Sequence, residues 1–237
     1  MALRPVYEDP LDALYDVGDG ASIALGGFTA ALGAPKVLFQ ALMQTAAKDL
    51  TFMGNGTPQV MLGEGEQRRF LIFDAARVRK VICSFPGGGA ARATVANPYE
   101  QAFTDGSVEL ELVPQGTLAE RLRAGGAGVP AFYTPTGVGA PFCEGKEVRE
   151  FDGRLYVLER WLRPDFALVK ALRADRLGNL VYRNTARNFN PPMAAAAAVT
   201  IAEVEEIVEP GQLSPDEITT PGIYVHRLVL VRSDGNA

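Results

Sequence analysis

Four short apolar segments in the first half of the chain each run into glycine or proline. Ser22 to Leu25 leads into Gly26-Gly27-Phe28, and Leu50 to Met53 into Gly54-Asn55-Gly56-Thr57-Pro58. Val78 to Ser84 ends toward Gly87-Gly88-Gly89, and Val108 to Val113 breaks at Pro114. Strand, glycine loop and helix in succession is the pattern of a parallel α/β sheet. A helix is expected from Pro35, where Leu38, Phe39, Leu42 and Met43 form one apolar stripe, and another from Asn97-Pro98, an N-cap with proline behind it. A third follows Pro114, with Thr117 as N-cap, Glu120 completing a capping box, Leu118 and Leu122 facing the core, and Gly125-Gly126 stopping it. Open sheets of this kind bind ligands outside the carboxyl ends of their strands, where Gln115 and the polar residues after Met53 lie.

Beyond residue 137 the pattern changes. Asp152-Gly153, between Val148-Arg149-Glu150-Phe151 and Leu155-Tyr156-Val157-Leu158, signals a hairpin, so antiparallel strands join the parallel ones. Phe166 to Val169, Leu180-Val181-Tyr182, Val204 to Val208 and Ile223 to Val231 read as strands, and Met193 to Val199 as a helix on its alanine content. Phe70 to Phe73 has no usable period and is assigned to helix, and Asp9-Pro10 opens a short amino-terminal helix. With no repeat and no linker, residues 1–237 are expected to form a single α/β domain. Its expected form is an open, mainly parallel sheet with mixed antiparallel edge strands and helices on both faces.

A net charge of -5 disfavours nucleic acid and anionic membrane as partners, although a local basic patch at Arg77, Arg79 and Lys80 could still meet a phosphorylated ligand. No apolar run is long enough to span a bilayer, no signal peptide opens the chain, and there are two cysteines, so a reducing cytoplasm is expected.

Each candidate site residue has a structural reading beside the functional one. Gly26, Gly27 and Phe28 precede a helix, where free N–H groups favour an anion, yet tight-turn glycines account for them as well. Asn55 offers a carboxamide donor for a developing oxyanion, or is half of an Asn-Gly turn. Gln115 either positions a carboxylate or ties down a loop, and Gly116 allows close approach of backbone or ligand. His226 is the only histidine, too little for a metal site or a triad, and no metal is expected. Cys83 and Cys143 lack a neighbouring base and read as packing residues.

The run Pro114 to Gly137 resembles the alpha subunit of the family I 3-oxoacid CoA-transferases, the succinyl-CoA:3-ketoacid and 3-oxoadipate type. Glu147 to Phe151, Asp165 to Ala171, Ala186-Arg187-Asn188-Phe189-Asn190, Glu203 to Val208 and Ile223 to Leu228 extend the likeness, as does Asp19 to Pro35. The resemblance implies an α2β2 enzyme, acyl-CoA and carboxylate substrates, coenzyme A as substrate with no permanently bound cofactor, and ping-pong transfer through a glutamate on a beta subunit. That glutamate's motif is not matched here, since Glu64-Gly65 and Glu144-Gly145 lack its flanks, and the chain stops where fused members continue. It also implies an oxyanion role for Asn55 and an active-centre position for Gln115. Two departures stand out: Gly56 replaces a second asparagine, and the loop between Phe28 and Pro35 is one residue longer than usual. A sugar-phosphate isomerase or ligand-binding regulator on a similar sheet, or a purely scaffolding subunit, are the competing readings.

Overall fold

The computed structural model describes residues 2–28, 30–63, 67–87 and 97–231. In chain order these form β1 (Val6–Tyr7), β2 (Ser22–Leu25), α1 (Lys36–Gln44), β3 (Leu50–Gly56), β4 (Gln59–Leu62), β5 (Arg69–Ile72) and β6 (Val78–Phe85). There follow α2 (Pro98–Thr104), β7 (Glu109–Leu112), α3 (Gln115–Ala127), β8 (Ala131–Thr134), β9 (Val148–Phe151), β10 (Arg154–Arg160), β11 (Phe166–Asp175), β12 (Leu180–Val181), α4 (Asn190–Ala196), β13 (Val199–Val208) and β14 (Arg227–Leu230).

The main sheet has nine strands, eight of them in the order β1-β14-β13-β11-β2-β3-β6-β7 and β12 paired with β11. Every pairing along that path is parallel. Period-two alternation divides the buried side chains between two faces. Ile23, Leu25, Phe52, Val81, Phe166, Leu168 and Ile201 join one core with Leu38, Phe39 and Leu42 of α1 and Tyr99 of α2. Ala24, Met53, Ile82, Ala167, Val169 and Ala202 join the other with Leu118 and Leu122 of α3 and Met193 of α4. Helices therefore cover both faces. Parallel crossovers carry the chain outward from β2 in one direction and from β11 in the other, so the strand order reverses between these two neighbours.

The antiparallel strands sit apart from the sheet's edges. The Asp152-Gly153 turn, both residues at positive φ, joins β9 to β10 in a separate sheet ordered β8-β10-β9, and only β12 runs antiparallel within the main sheet. Phe70 to Phe73 is not helical: β5 pairs with β4, Met61 opposite Phe70 and Val60 opposite Leu71. Val60 is fully buried while Met61 is not, a two-sided hairpin that four apolar residues in a row conceal. α4 stops at Ala196 because Val199 is drawn into β13, where it pairs with Phe166; ladder pairing overrides alanine's propensity. Asp9-Pro10 opens only a single turn, Asp12–Leu14, and Gly222–Tyr224 is likewise one turn ahead of β14.

α3 differs from expectation at both ends. It begins at Gln115 behind Pro114, so Thr117 is a buried helical residue rather than a cap, and Glu120 pairs with Arg123. Gly125 and Gly126 do not stop it: a Cβ on Gly125 would lie 2.0 Å from the Leu162 carbonyl oxygen, so its small size serves close packing. The helix ends at Gly128, whose left-handed backbone supplies the cap. No helix among the described residues is long and apolar enough to cross a membrane.

Candidate active site

The carboxyl ends of β2, β3 and β6 surround a cavity of about 370 Å³ beside the β4-β5 hairpin. Gly26, Gly27, Phe28 and Asn55 all line it; Gln115 and Gly116 do not. The glycines on either side of Asn55 suggest a loop, but β3 continues through it, with Gly54 opposite Cys83 and Gly56 opposite Phe85. Asn55 therefore sits at the rigid end of an interior strand and is 5% exposed.

Gln115 nevertheless belongs to the same cluster. The order β3-β6-β7 brings the residue after β7 back over the end of β3, and Gln115 Nε2 donates to Asn55 Oδ1 at 2.5 Å. That bond fixes which end of the Asn55 carboxamide faces Gln115, leaving its N–H2 group to turn elsewhere. Those N–H groups make no hydrogen bond to another described residue, and Asn55 itself lines the cavity. A Cβ on Gly116 would meet nothing within 4 Å, so no described part of this chain packs closely against that glycine.

Two residues that the sequence reading did not single out as site candidates support the glycine loop and the start of α1. Asn190, fully buried, accepts from the Lys170 backbone N–H and donates to the carbonyls of Gly33 and Ala186. Its Oδ1 stands 2.0 Å from where a Cβ on Gly26 would be, so the two positions are matched: only glycine leaves room for the asparagine. Asn188 Nδ2 adds a bond to the Leu32 carbonyl, and Phe28 N–H bonds Leu32 across the same loop. The loop between Phe28 and Pro35, one residue of which (Thr29) lies outside the described residues, is thus pinned from the Ala186 to Asn190 segment.

Glu203 is the second. It stands on β13, 2% exposed, and its Oε2 accepts from the backbone N–H groups of Val37 and Leu38 at 2.7 and 3.1 Å. The amino terminus of α1, which looked open to a phosphate, is already filled by this carboxylate. Its sequence signal was an acid inside the apolar run Ile201-Ala202-Glu203-Val204.

The remaining candidates are structural. Arg77 donates to the carbonyls of Met43, Thr45 and Ala47, Arg79 to Thr51, and Lys80 bridges Glu109 and Glu111, so the basic patch is internally satisfied. His226 Nδ1 accepts from the Thr200 backbone N–H, and burial lowers its pKa. Burial pushes the Cys83 thiol up to about 12, which suits a packing residue. Gly88, Gly89, Glu64 and Gly65 lie outside the described residues, and among those described no group of three or more His, Cys, Asp or Glu could hold a metal.

In an assembled enzyme Gln115→Ala is expected to lower turnover about tenfold, the worth of one positioning hydrogen bond of about 1 kcal/mol or slightly more. Gln115 is only half-buried at a helix start, so its loss opens no core cavity. Melting temperature and activity per folded molecule should therefore separate; a steep fall in melting with undiminished turnover would make Gln115 structural.

The chain is 47% identical over 229 residues to the A-type subunit of the 3-oxoadipate CoA-transferase of Pseudomonas putida, covering 97% of this chain and 94% of that protein. It is 45% identical to the mitochondrial succinyl-CoA:3-ketoacid coenzyme A transferase 2 of Homo sapiens, covering 94% of this chain but 44% of that protein. The solved glutaconate coenzyme A-transferase of Acidaminococcus fermentans superposes with a TM-score of 0.79 at 20% identity, over 96% of this chain and 76% of that one, which speaks to fold. The family model described as coenzyme A transferase matches residues 7–230, and the chain belongs to that family.

Proposed function

We propose that this chain is the alpha subunit of a heteromeric CoA-transferase, carrying CoA from an acyl-CoA donor such as succinyl-CoA to a 3-oxo acid or another short carboxylate. The observation that carries the reading is Asn55, held by Gln115 at the end of β3 with its N–H groups available to the cavity. A donor fixed in a dry, rigid place stabilises the oxygen of a thioester carbonyl as a nucleophile adds to its carbon. The nucleophile is a glutamate of the beta subunit: its carboxylate expels CoA thiolate to give a mixed anhydride, and the thiolate then returns to the glutamyl carbonyl, releasing the first acid. Coenzyme A enters and leaves as substrate, in an α2β2 assembly working in the cytoplasm, where free cysteines such as Cys83 and Cys143 persist. More than half of the human relative lies outside the matched region, which fits a second, partner-like half. Glu203 argues against the isomerase reading, because it fills the helix terminus a sugar phosphate would use.

The test is reconstitution. The purified chain is expected to fold and to transfer no CoA, and co-expression with a beta subunit is expected to restore transfer with ping-pong kinetics. Transfer by the chain alone, shown free of partner by mass spectrometry, would sink the assignment.

A further inference from the structure

The cavity's lining is unusual in one respect: among the described residues a single charged side chain, Arg68, contributes to it. The hairpin explains its position. In β4 and β5 alternate residues face the cavity, Gln59 and Met61 from one strand and Phe70 from the other, while Val60 faces the core. Arg68 continues the Phe70 side at the hairpin's tip, one residue beyond Arg69, which pairs with Leu62. Met61 N–H bonds the Ala30 carbonyl at 2.7 Å, so this wall is tied to the glycine loop across the cavity.

The wall therefore has a direction. Gln59 follows Asn55 closely in sequence and opens the hairpin at the reacting end, while Arg68 closes it at the other. From the level of Ile72, opposite Gln59, to Arg68 is four strand residues, about 13 Å. Between the two ends the surface is Met61 and Phe70, which offer an acyl chain apolar contact and no hydrogen bonds.

We propose that Arg68 selects the acyl group by pairing with a second, distal carboxylate, so that the pocket favours dicarboxylic acyl groups over monocarboxylic ones of equal length. The inference rests on the CoA-transferase reading, because Asn55 must mark the thioester end. A planar guanidinium takes a carboxylate through two parallel N–H···O bonds. Arg68 is itself exposed, so water meets the guanidinium when a methyl-ended acyl group is bound, and the preference comes from the added charge-assisted pair alone.

The experiment uses the chain assembled with its beta partner and compares succinyl-CoA with butyryl-CoA as donors, in wild type, Arg68→Lys and Arg68→Met. An exposed ion pair predicts that Arg68→Met lowers the succinyl-to-butyryl ratio of kcat/KM roughly two- to fivefold, with Arg68→Lys recovering part of it. An unchanged ratio overturns the proposal. So does an equal loss on both donors, which would place Arg68 on a phosphate of CoA instead. Calorimetric titration of the same complexes with succinate and butyrate supplies an arm that needs no transfer. Succinate binding weakened in Arg68→Met supports the carboxylate seat even where the wild type transfers nothing, and that silence would count against the enzyme reading alone. Succinate binding equally to wild type and Arg68→Met counts against Arg68.

Discussion

Asn55→Ala, in the assembled enzyme, is expected to lower turnover on the order of a hundredfold, about 3 kcal/mol of transition-state stabilisation, by the measure of other oxyanion donors. The side chain it removes is 5% exposed at the end of an interior strand, and its carbonyl oxygen is already committed to Gln115. What is lost toward the cavity is the N–H2 group. Asn55→Asp sharpens the experiment, because a carboxylate still accepts from Gln115 and keeps the local hydrogen bond. It replaces the donor with a negative charge aimed at a developing negative charge, and is expected to be slower than the alanine variant. The Michaelis constant for acyl-CoA should move less than turnover, since the interaction strengthens as the carbonyl becomes tetrahedral. Single-turnover formation of the enzyme thioester measures the step directly. An unchanged rate in Asn55→Ala would remove the side chain from the mechanism and leave the backbone N–H as donor; a loss confined to binding would make Asn55 a recognition residue.

The strands β2, β3, β6 and β7 were legible because glycine or proline follows each of them, and the bounds of β2 coincide with the expected ones, whereas β3 runs three residues past its expected end, through Asn55. Polar residues at those ends pointed to Asn55 and Gln115 separately. Their contact was not legible, since it spans 60 positions of sequence and depends on β3 lying two strands from β7. The same holds for Asn190 and Gly26: a buried asparagine and a glycine acquire their mutual fit only when β11 is laid beside β2. Phe70 misled for a different reason, as a hairpin buried on one side and lining a cavity on the other presents apolar residues at every position. The anion site at α1 misled because the acid that fills it comes from β13, some 166 residues away.

That acid carries the largest structural effect. α1 begins behind Pro35 with no side-chain cap of its own and no acidic residue in its first turn, so Glu203 is what meets its leading N–H groups. Glu203→Ala strips the acceptor from two such groups at a cost of about 1–3 kcal/mol each. Lys170, 3.4 Å from Glu203, keeps Glu205 as a second partner at the same distance, so its charge is not stranded. A total loss of about 2–6 kcal/mol follows, and at about 2–4 °C per kcal/mol for a chain of this size the melting temperature should fall by roughly 10 °C. The pH dependence tests the carboxyl itself. Burial outweighs Lys170 and the two N–H groups and raises the Glu203 pKa above its ordinary 4.5. The folded protein therefore holds this proton more tightly than the unfolded chain, so the group's contribution is complete below pH 4.5 and declines as pH climbs through the folded-state value. Glu203→Gln cannot titrate, so the stability of wild type relative to this variant should fall as pH rises above about 4.5. Denaturant melts across that range decide it: a difference that grows with pH would mean that the helix terminus and Lys170 stabilise the charge more than burial opposes it.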